Sequence, residues 1–192
     1  MPTTNFALFD TAIGACGIAW NERGIAAVQL PEKSGEKTRA RLQRRFPAAR
    51  EAAPTPAVQD AVNGIVALLR GEASDFSAIA LDLDALPAFN RRVYEVARAI
   101  PPGATLSYGE IAAKLGEPPQ AARDVGQALG QNPIPIIVPC HRVLAANGKP
   151  GGFSASGGVT TKLRLLTIEK AKTSEAPALF DDLPLVARPR RR

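Results

Sequence analysis

The chain is poor in the residues that build disulfide frameworks and metal sites. Its 192 residues include two cysteines, Cys16 and Cys140, and one histidine, His141. Two cysteines cannot form a disulfide-stapled scaffold, and with a single histidine they fall short of the ligand set of a zinc site. We therefore expect no metal and no cofactor. The chain is long enough to bury an apolar core in one domain or in two small ones.

Long apolar runs are missing as well. No uncharged apolar run approaches the roughly 18–20 residues that a membrane helix needs. The first residues carry no basic segment, and Asp10 interrupts the early apolar stretch, which argues against a secretion signal. These features predict a soluble, reduced, cytoplasmic protein that has no membrane partner.

Positive charge is in excess and unevenly distributed. The 24 basic and 18 acidic residues give a net charge of +6. Residues 1–80 contribute +1 (9 basic minus 8 acidic), whereas residues 88–166 contribute +5 (9 basic minus 4 acidic). A basic half of this kind favours an anionic partner but does not choose among them.

The first half of the chain is patterned as a small antiparallel sheet with helices. Short apolar runs over residues 6–30 alternate with Gly and Asn turn signals, which predicts a meander of strands. Apolar periodicity predicts helices over 37–46 and 58–69, with a loop between them over 47–56. An α/β (α+β) fold is expected.

Residues 72–87 have the pattern of an extended linker, and we place a domain boundary at their end. The predicted organisation is an N-terminal α/β scaffold domain over residues 1–86 and a helical domain over residues 87–170. Residues 171–192 end in a segment that contains four arginines, and we predict that they form a disordered basic tail.

The second half is patterned as helices. A first helix over 89–100 ends at a Pro-Pro-Gly sequence. Ser107 and Glu110 then form a capping-box pattern that opens a short helix, and a further helix follows over 120–130. Two short helices joined by a Gly-containing turn indicate a helix-turn-helix or an ordinary helical hairpin. Gly126 in the second helix costs about 1 kcal/mol relative to Ala, which favours either close helix packing or a thin, ligand-facing surface.

The strongest chemical signal is a thiol next to the only histidine. A thiolate is a nucleophile, and a neighbouring His stabilises it, so Cys140 should be more reactive at neutral pH than a free Cys with a pKa of about 8.5. A buried Cys after an apolar run is, however, more often a packing residue. Because adjacent residues point in different directions, Cys140 and His141 can cooperate only through a turn or a bridging water.

The context of this pair resembles one family closely, the O6-alkylguanine-DNA alkyltransferases, also called methylated-DNA–protein-cysteine methyltransferases. The pentapeptide Pro139-Cys140-His141-Arg142-Val143 matches the family's active-site signature. The resemblance is strong over residues 89–169 and only outlined over residues 1–86, through the strand start at Thr11–Gly14. The other matching positions are Phe89, Val93, Tyr94, Ile100-Pro101, Gly103, Ser107-Tyr108-Gly109, Ile111-Ala112, Ala121-Ala122-Arg123, Val125-Gly126, Asn132-Pro133, Ser156-Gly157-Gly158, Lys162, Leu165-Leu166 and Glu169.

The resemblance implies a fold and an activity. The implied fold joins a small ribonuclease-H-like N-terminal domain to a winged helix-turn-helix-like domain that binds DNA and holds the active site. The implied reaction is irreversible, single-turnover transfer of an alkyl group from O6-alkylguanine in duplex DNA to Cys140, with O4-alkylthymine as a second candidate substrate. His141 would take the thiol proton in a Cys–water–His–Glu network, which Glu169 would orient.

The resemblance also implies roles on the DNA side. Tyr108 would crowd the target phosphate and donate a proton to guanine N3, and Asn132 would tie the turn before the active-site strand. Arg123 would fill the base stack after the nucleotide is flipped out. The small residues of the recognition helix would suit the minor groove, which is only about 6 Å wide. The DNA-facing set is Ser107, Tyr108, Ala121, Ala122, Arg123 and Gly126; the substrate pocket is Val143, Phe153, Ser154, Ser156 and Gly157. A monomer is expected.

Two departures and three alternatives accompany this prediction. The loop over residues 152–158 is two residues longer than the common family form, in which an aromatic residue directly precedes Ser-Gly-Gly. If the loop is aligned on Ser156, Ala155 takes the place of the aromatic residue; if it is aligned on Phe153, Ser154 and Ala155 are the additional residues. The difference bears on substrate range. Residues 1–86 contain one cysteine and no histidine, so the structural zinc of some relatives is not expected.

A Cys-His hydrolase would need an oxyanion hole and a separate base. A helix-turn-helix regulator or damage-binding protein without chemistry would not need Cys140, and an alkylation-sensing regulator would carry an extra metal-bearing domain.

Overall fold

A computed structural model describes residues 3–171, and within them the chain forms six α-helices and six short strands. The predicted basic tail after residue 171 lies outside the described residues. No helix within residues 3–171 is long and apolar enough to cross a membrane. The strands are β1 (Asn5–Thr11), β2 (Gly14–Asn21), β3 (Gly24–Gln29), β4 (Arg50–Glu51), β5 (Leu106–Ser107) and β6 (Val143–Leu144). The helices are α1 (Gly35–Arg45), α2 (Pro56–Leu69), α3 (Ala88–Arg98), α4 (Tyr108–Lys114), α5 (Ala122–Gly130) and α6 (Val159–Ile168).

The predicted meander is present, and it gains a fourth strand. Strands β1, β2 and β3 are antiparallel neighbours, and the sheet order is β3-β2-β1-β4. Strand β4 pairs with β1 in parallel, Asn5 opposite Arg50, inside the segment that we expected to be a loop. The prediction of a loop throughout 47–56 was therefore wrong. Its Ala- and Pro-rich sequence has little strand propensity, and the free edge of β1 supplies the hydrogen bonds instead.

The expected linker over 72–87 is attached to the sheet along part of its length. Ile25 in β3 donates its amide to Ala80 and accepts from Asp82, and Phe76 is buried. A Cβ at Gly24 would lie 2.5 Å from the Ala80 carbonyl oxygen, so the close approach requires glycine there. The main apolar cluster contains residues from both halves of the chain. The division into two domains stays a prediction.

Helices α3, α4 and α5 pack together and form the helical half. The capping box at α4 is present as predicted: the Ser107 hydroxyl accepts from the Glu110 amide, and the Glu110 carboxylate accepts from the Ser107 amide. A 3-10 turn over Pro119–Ala121 leads into α5. The buried Tyr94 hydroxyl donates to the Ala128 carbonyl at 2.7 Å, which locks α3 against α5. Strands β5 and β6 form a short parallel ladder, and β5 leads directly into α4.

Candidate active site

A succession of turns, rather than a strand, delivers Cys140. Pro133, Pro135 and Pro139 interrupt the apolar run before Cys140 and remove the backbone donors that a strand ladder needs. The Asn132 side chain holds the turn together: its amide group donates to the Val138 carbonyl at 2.8 Å and its oxygen accepts from the Ile134 amide at 2.9 Å.

Backbone strain is concentrated in the same turn. Ile136 is fully buried and has a φ of +75°, a conformation that β-branched residues rarely adopt. The surrounding packing and the Asn132 bonds hold this conformation four residues before the thiol. Strain of this kind persists where the structure over-determines it, and it is common near reactive groups.

Cys140 opens a 3-10 turn, Cys140–Arg142, and its side chain is almost enclosed. The residue is 7% exposed. Burial raises the pKa of the thiol above its ordinary value, while hydrogen bonding from Asn132 and the charge of Lys162 act in the opposite direction. The resting group is therefore the neutral thiol at neutral pH. Any enhanced reactivity must come from proton removal during attack, not from a standing thiolate.

His141 is buried next to the thiol and is oriented by a carboxylate. Its Nε2 lies 2.9 Å from Oε1 of Glu169. Burial lowers the pKa of His141, although the hydrogen bond and charge of Glu169 oppose the effect, so the imidazole is neutral at neutral pH. Burial alone would raise the pKa of Glu169, but hydrogen bonds from His141 and Arg142 outweigh it and bring the pKa to about 2.

This arrangement fixes which ring nitrogen can accept a proton. Because Glu169 is ionised and accepts only, the proton of the neutral ring sits on Nε2. The lone pair is then on Nδ1, which is buried and has no hydrogen-bond partner among the described residues. A neutral imidazole whose lone pair has no partner can act as a general base once the thiol proton reaches it.

Two cavities meet at Cys140. The first, which we call the α5 cavity, has a volume of about 500 Å³ and lies against helix α5. The second, which we call the arginine cavity, has a volume of about 490 Å³ and lies against α1. Both are lined by Cys140, Phe153 and Ser154, so the loop that begins at Phe153 separates them.

Comparisons with known proteins agree with this geometry. Residues 88–171 match the family model described as "6-O-methylguanine DNA methyltransferase, DNA binding domain". A methylated-DNA–protein-cysteine methyltransferase of Mycobacterium tuberculosis is 37% identical, over 92% of this chain and 99% of the relative. The chain belongs to the methylated-DNA–protein-cysteine methyltransferase family. The match extends over both halves of the chain, including residues 1–86, where the motif resemblance was only an outline.

Solved structures of the family superpose on the whole fold. The crystal structure of Mycobacterium tuberculosis O6-methylguanine methyltransferase is similar with a TM-score of 0.71 and 35% identity, covering 93% of this chain and 100% of that one. The M. tuberculosis structure described as "OGT in complex with DNA" is similar with a TM-score of 0.70 and 35% identity, covering 86% and 92%. The mixed α/β fold expected from the sequence is confirmed.

The structure brings most of the expected DNA-facing residues to one wall. Ala122, Arg123 and Gly126 of α5 line the α5 cavity together with Tyr108, the first residue of α4. Arg123 is exposed, whereas Ala121 is buried under the start of α5. Ser107 is engaged in the helix cap. The roles of these residues in DNA binding stay a prediction.

The loop residues expected in the substrate pocket divide into two groups. Phe153 and Ser154 line both cavities. Among the described lining residues of these cavities, Val143, Ser156 and Gly157 do not occur. Val143 is buried in β6, and the Ser156 carbonyl accepts a hydrogen bond from Thr161 at the start of α6. Their assignment to the pocket stays a prediction.

The backbone of the same loop also reaches Tyr108. A Cβ at Gly151, where φ is +66°, would lie 2.9 Å from the Tyr108 hydroxyl oxygen. Glycine is therefore required at this position for two reasons, the backbone conformation and the close approach. Burial raises the pKa of Tyr108, so the phenol stays protonated and can donate a proton.

Arg142 supports the site, although sequence analysis gave it no role. Arg142 is buried and donates to both carboxylate oxygens of Glu169, from Nε at 2.9 Å and from Nη2 at 2.8 Å. Its Nη1 donates to the Ile100 carbonyl at 2.5 Å. The bidentate pair keeps Glu169 ionised and fixed in position for His141. The signal was present in the signature pentapeptide, where Arg142 follows His141.

Lys162 is the second residue whose role the sequence did not show. It is fully buried on α6, its ammonium group donates to the Val143 carbonyl at 2.5 Å, and it lies 5.8 Å from the centre of the Tyr108 ring. Burial lowers its pKa to about 8, with the charge of Cys140 opposing the shift. A cation here favours the thiolate that forms as the proton leaves.

Proposed function

We propose that this chain repairs DNA by transferring the alkyl group of O6-alkylguanine irreversibly to its own Cys140, once per molecule. The observation that carries the proposal is the position of Cys140 at the meeting point of the α5 cavity and the His141–Glu169 pair. The thiol lines the same cavity as Arg123, and the next residue in the chain is a neutral imidazole that Glu169 orients. Family membership supports the same reaction.

The chemical step is an in-line displacement at the carbon attached to O6. The sulfur–carbon bond forms while the carbon–O6 bond breaks, and the electron pair of that bond goes to guanine. The thiol proton passes to Nδ1 of His141 through a bridging water, and the Tyr108 hydroxyl donates a proton to guanine N3. Glu169 holds the imidazolium that forms, and Asn132 and Lys162 favour the developing thiolate. The product is a thioether, which explains single turnover.

The DNA step requires extrusion of the target nucleotide. An alkylated guanine inside a duplex cannot reach a buried thiol, so the nucleotide must be flipped out at a cost of a few kcal/mol. We propose that α5 enters the minor groove, where the small side chains of Ala122 and Gly126 permit close approach, and that Arg123 fills the gap in the stack. The +5 charge of residues 88–166 adds a phosphate attraction that does not depend on sequence.

The finer assignments follow from this proposal. We propose that the protein acts as a monomer, because one chain supplies both cavities and the His141–Glu169 pair. We also propose the cytoplasm as its compartment, where the two thiols, Cys16 and Cys140, remain reduced.

The test is a stoichiometric assay on duplex DNA. Folded protein is mixed with an excess of duplex oligonucleotide that contains one O6-methylguanine, and the remaining lesion is counted when the reaction stops. We expect one lesion removed per protein molecule in the wild-type chain and in Cys16→Ser, and none in Cys140→Ser. Many lesions removed per molecule, or turnover of an ester in place of the lesion, would favour the hydrolase alternative. DNA binding without lesion loss would favour a regulator without chemistry.

A further inference from the structure

The arginine cavity opens onto the same sulfur as the α5 cavity, from the side of the N-terminal half. Its walls come from α1, from the end of β3, from the turn at Asn132–Pro135 and from the loop after Phe153. Ala155, which belongs to the loop that is longer than the common family form, lines it. A volume of about 490 Å³ is within the range of small-molecule sites and far exceeds the space that a methyl group needs.

The wall formed by α1 carries three guanidinium groups, Arg41, Arg44 and Arg45. Arg41 is neutralised by Glu32 at 3.1 Å. Within residues 3–171, Arg44 and Arg45 have no carboxylate partner, and no acidic side chain occurs among the described lining residues. Arg45 is positioned by a hydrogen bond to the Pro133 carbonyl at 3.4 Å and by stacking on the Phe46 ring. The cavity is therefore positively charged next to the nucleophile.

We propose that the arginine cavity receives the distal part of the O6-alkyl group and favours alkyl groups that end in a carboxylate. The proposal rests on the proposed function and specifies its substrate class. When sulfur attacks the carbon bound to O6, guanine occupies one side of the sulfur. The remainder of the alkyl group needs space on another side, and the arginine cavity provides it. A guanidinium offers paired donors that match a carboxylate.

The transfer balances without a further reactant. The sulfur–carbon bond forms, the carbon–O6 bond breaks, and guanine leaves with the proton that Tyr108 supplies, while the thiol proton passes to His141. The carboxylate takes no part in bond making. It is carried over with the alkyl group, so the product is a Cys140 thioether whose acid end lies near Arg44 and Arg45.

A matched pair of substrates isolates the charge from the size of the alkyl group. Single-turnover rates are measured on the free bases O6-(4-carboxybenzyl)guanine and O6-(4-carbamoylbenzyl)guanine, which have the same shape and differ by one charge. We expect the carboxylate to react about tenfold faster with the wild-type chain, because charge-assisted hydrogen bonds are stronger than neutral ones. The preference should shrink as salt is added, since part of it is a screened charge interaction.

The variants assign the preference to α1. Arg44→Gln should lower the ratio severalfold, Arg44→Gln combined with Arg45→Gln should bring it to about one, and Arg44→Glu should invert it. Arg39→Gln is the matched control, because Arg39 lies on the same helix but is paired with Glu51 away from the cavity. Arg39→Gln should leave both the ratio and the rate on duplex O6-methylguanine unchanged, since Arg39 does not line the cavity.

The outcomes separate this inference from the proposed function. A ratio of one in the wild-type chain with normal methyl transfer would overturn the charge preference and leave the repair reaction standing. A ratio that stays at tenfold in the double variant would also overturn it, because the charge would then be recognised elsewhere. If folded protein transfers no methyl group to Cys140, both the charge preference and the proposed repair reaction are overturned.

Discussion

Replacing Glu169 with glutamine tests the buried His141–Glu169 pair most sharply, because the substitution removes one charge and changes the side-chain volume very little. In the native site Glu169 accepts from Nε2 of His141 and, in bidentate fashion, from Arg142. A glutamine retains one acceptor oxygen and presents an NH₂ group as its second polar end. We expect its oxygen to stay with Arg142, which leaves the NH₂ group facing His141.

The structural magnitude follows from the pKa of the carboxylate. The pKa of Glu169 falls from 4.5 to about 2. A difference of this size corresponds to about 3 kcal/mol at 1.36 kcal/mol per pKa unit. Because the folded pKa is depressed, this stability is present above pH 4.5 and is lost as the pH falls towards 2. Glu169→Gln should therefore lower the free energy of unfolding by about 2–3 kcal/mol at pH 7. The difference between wild type and variant should narrow below about pH 4.5.

The catalytic consequence follows from the tautomer. An NH₂ donor facing Nε2 forces the imidazole proton onto Nδ1, so Nδ1 no longer has a lone pair that can accept the thiol proton. Loss of a general base typically costs about 10²–10⁴-fold in rate. Urea unfolding at several pH values gives the stability change, and single-turnover rates on duplex and on O6-benzylguanine give the kinetic change. Glu95→Gln, an exposed acid on α3, is the control for loss of one negative charge.

Two results would refute this reasoning. A stability difference between wild type and Glu169→Gln that is constant from pH 7 to pH 3 would show that ionisation of Glu169 does not stabilise the fold. A variant that unfolds more easily but transfers alkyl groups at the native rate would show that Glu169 supports packing only.

Three further predictions concern the base, the DNA and the recognition helix. His141→Phe should slow alkyl transfer by about 10²–10⁴-fold while the affinity for duplex DNA, measured by fluorescence anisotropy, changes little. Arg123→Ala should slow single-turnover repair of duplex O6-methylguanine strongly and leave the reaction with free O6-benzylguanine nearly unchanged, because a free base needs no flipping; Arg123→Lys should restore only part of the rate. Gly126→Ala should raise the free energy of unfolding by up to about 1 kcal/mol, since its Cβ would meet the Tyr108 ring at an ordinary 3.8 Å, yet slow repair of duplex DNA.

Each of these has a result that contradicts it. Equal losses of binding and transfer in His141→Phe would indicate a structural histidine. Parallel losses on duplex and free base in Arg123→Ala would place Arg123 in the fold or the pocket. Native repair of duplex DNA by Gly126→Ala would show that the backbone of α5 does not approach DNA at this point.

Local signals in the sequence were sufficient for the helices around the site. The capping box at Ser107 acts through neighbouring backbone groups, so its residue types alone indicate it, and the structure confirms it. The nucleophile and its base were recognisable for a related reason. The signature around Cys140 is contiguous in the chain, and it is followed far downstream by the matching Glu169.

Features that depend on tertiary partners were not accessible in this way. Strand β4 exists only because β1 has a free edge, and residues 80–82 leave the linker pattern only because β3 binds them. The role of Arg142 depends on Glu169 being brought back to it across the fold. The raised pKa of Cys140 is a consequence of burial, which periodicity does not quantify. The arginine cavity likewise forms only where α1 faces the loop after Phe153.

The most direct test of the central claim is the intact mass of the protein after reaction with duplex DNA that contains O6-methylguanine, followed by peptide mapping. We expect a gain of one methyl group and no more, located on the peptide that contains Cys140, with Cys16 unmodified. An unchanged mass in folded protein that binds the duplex, or a methyl group on any residue other than Cys140, would contradict it.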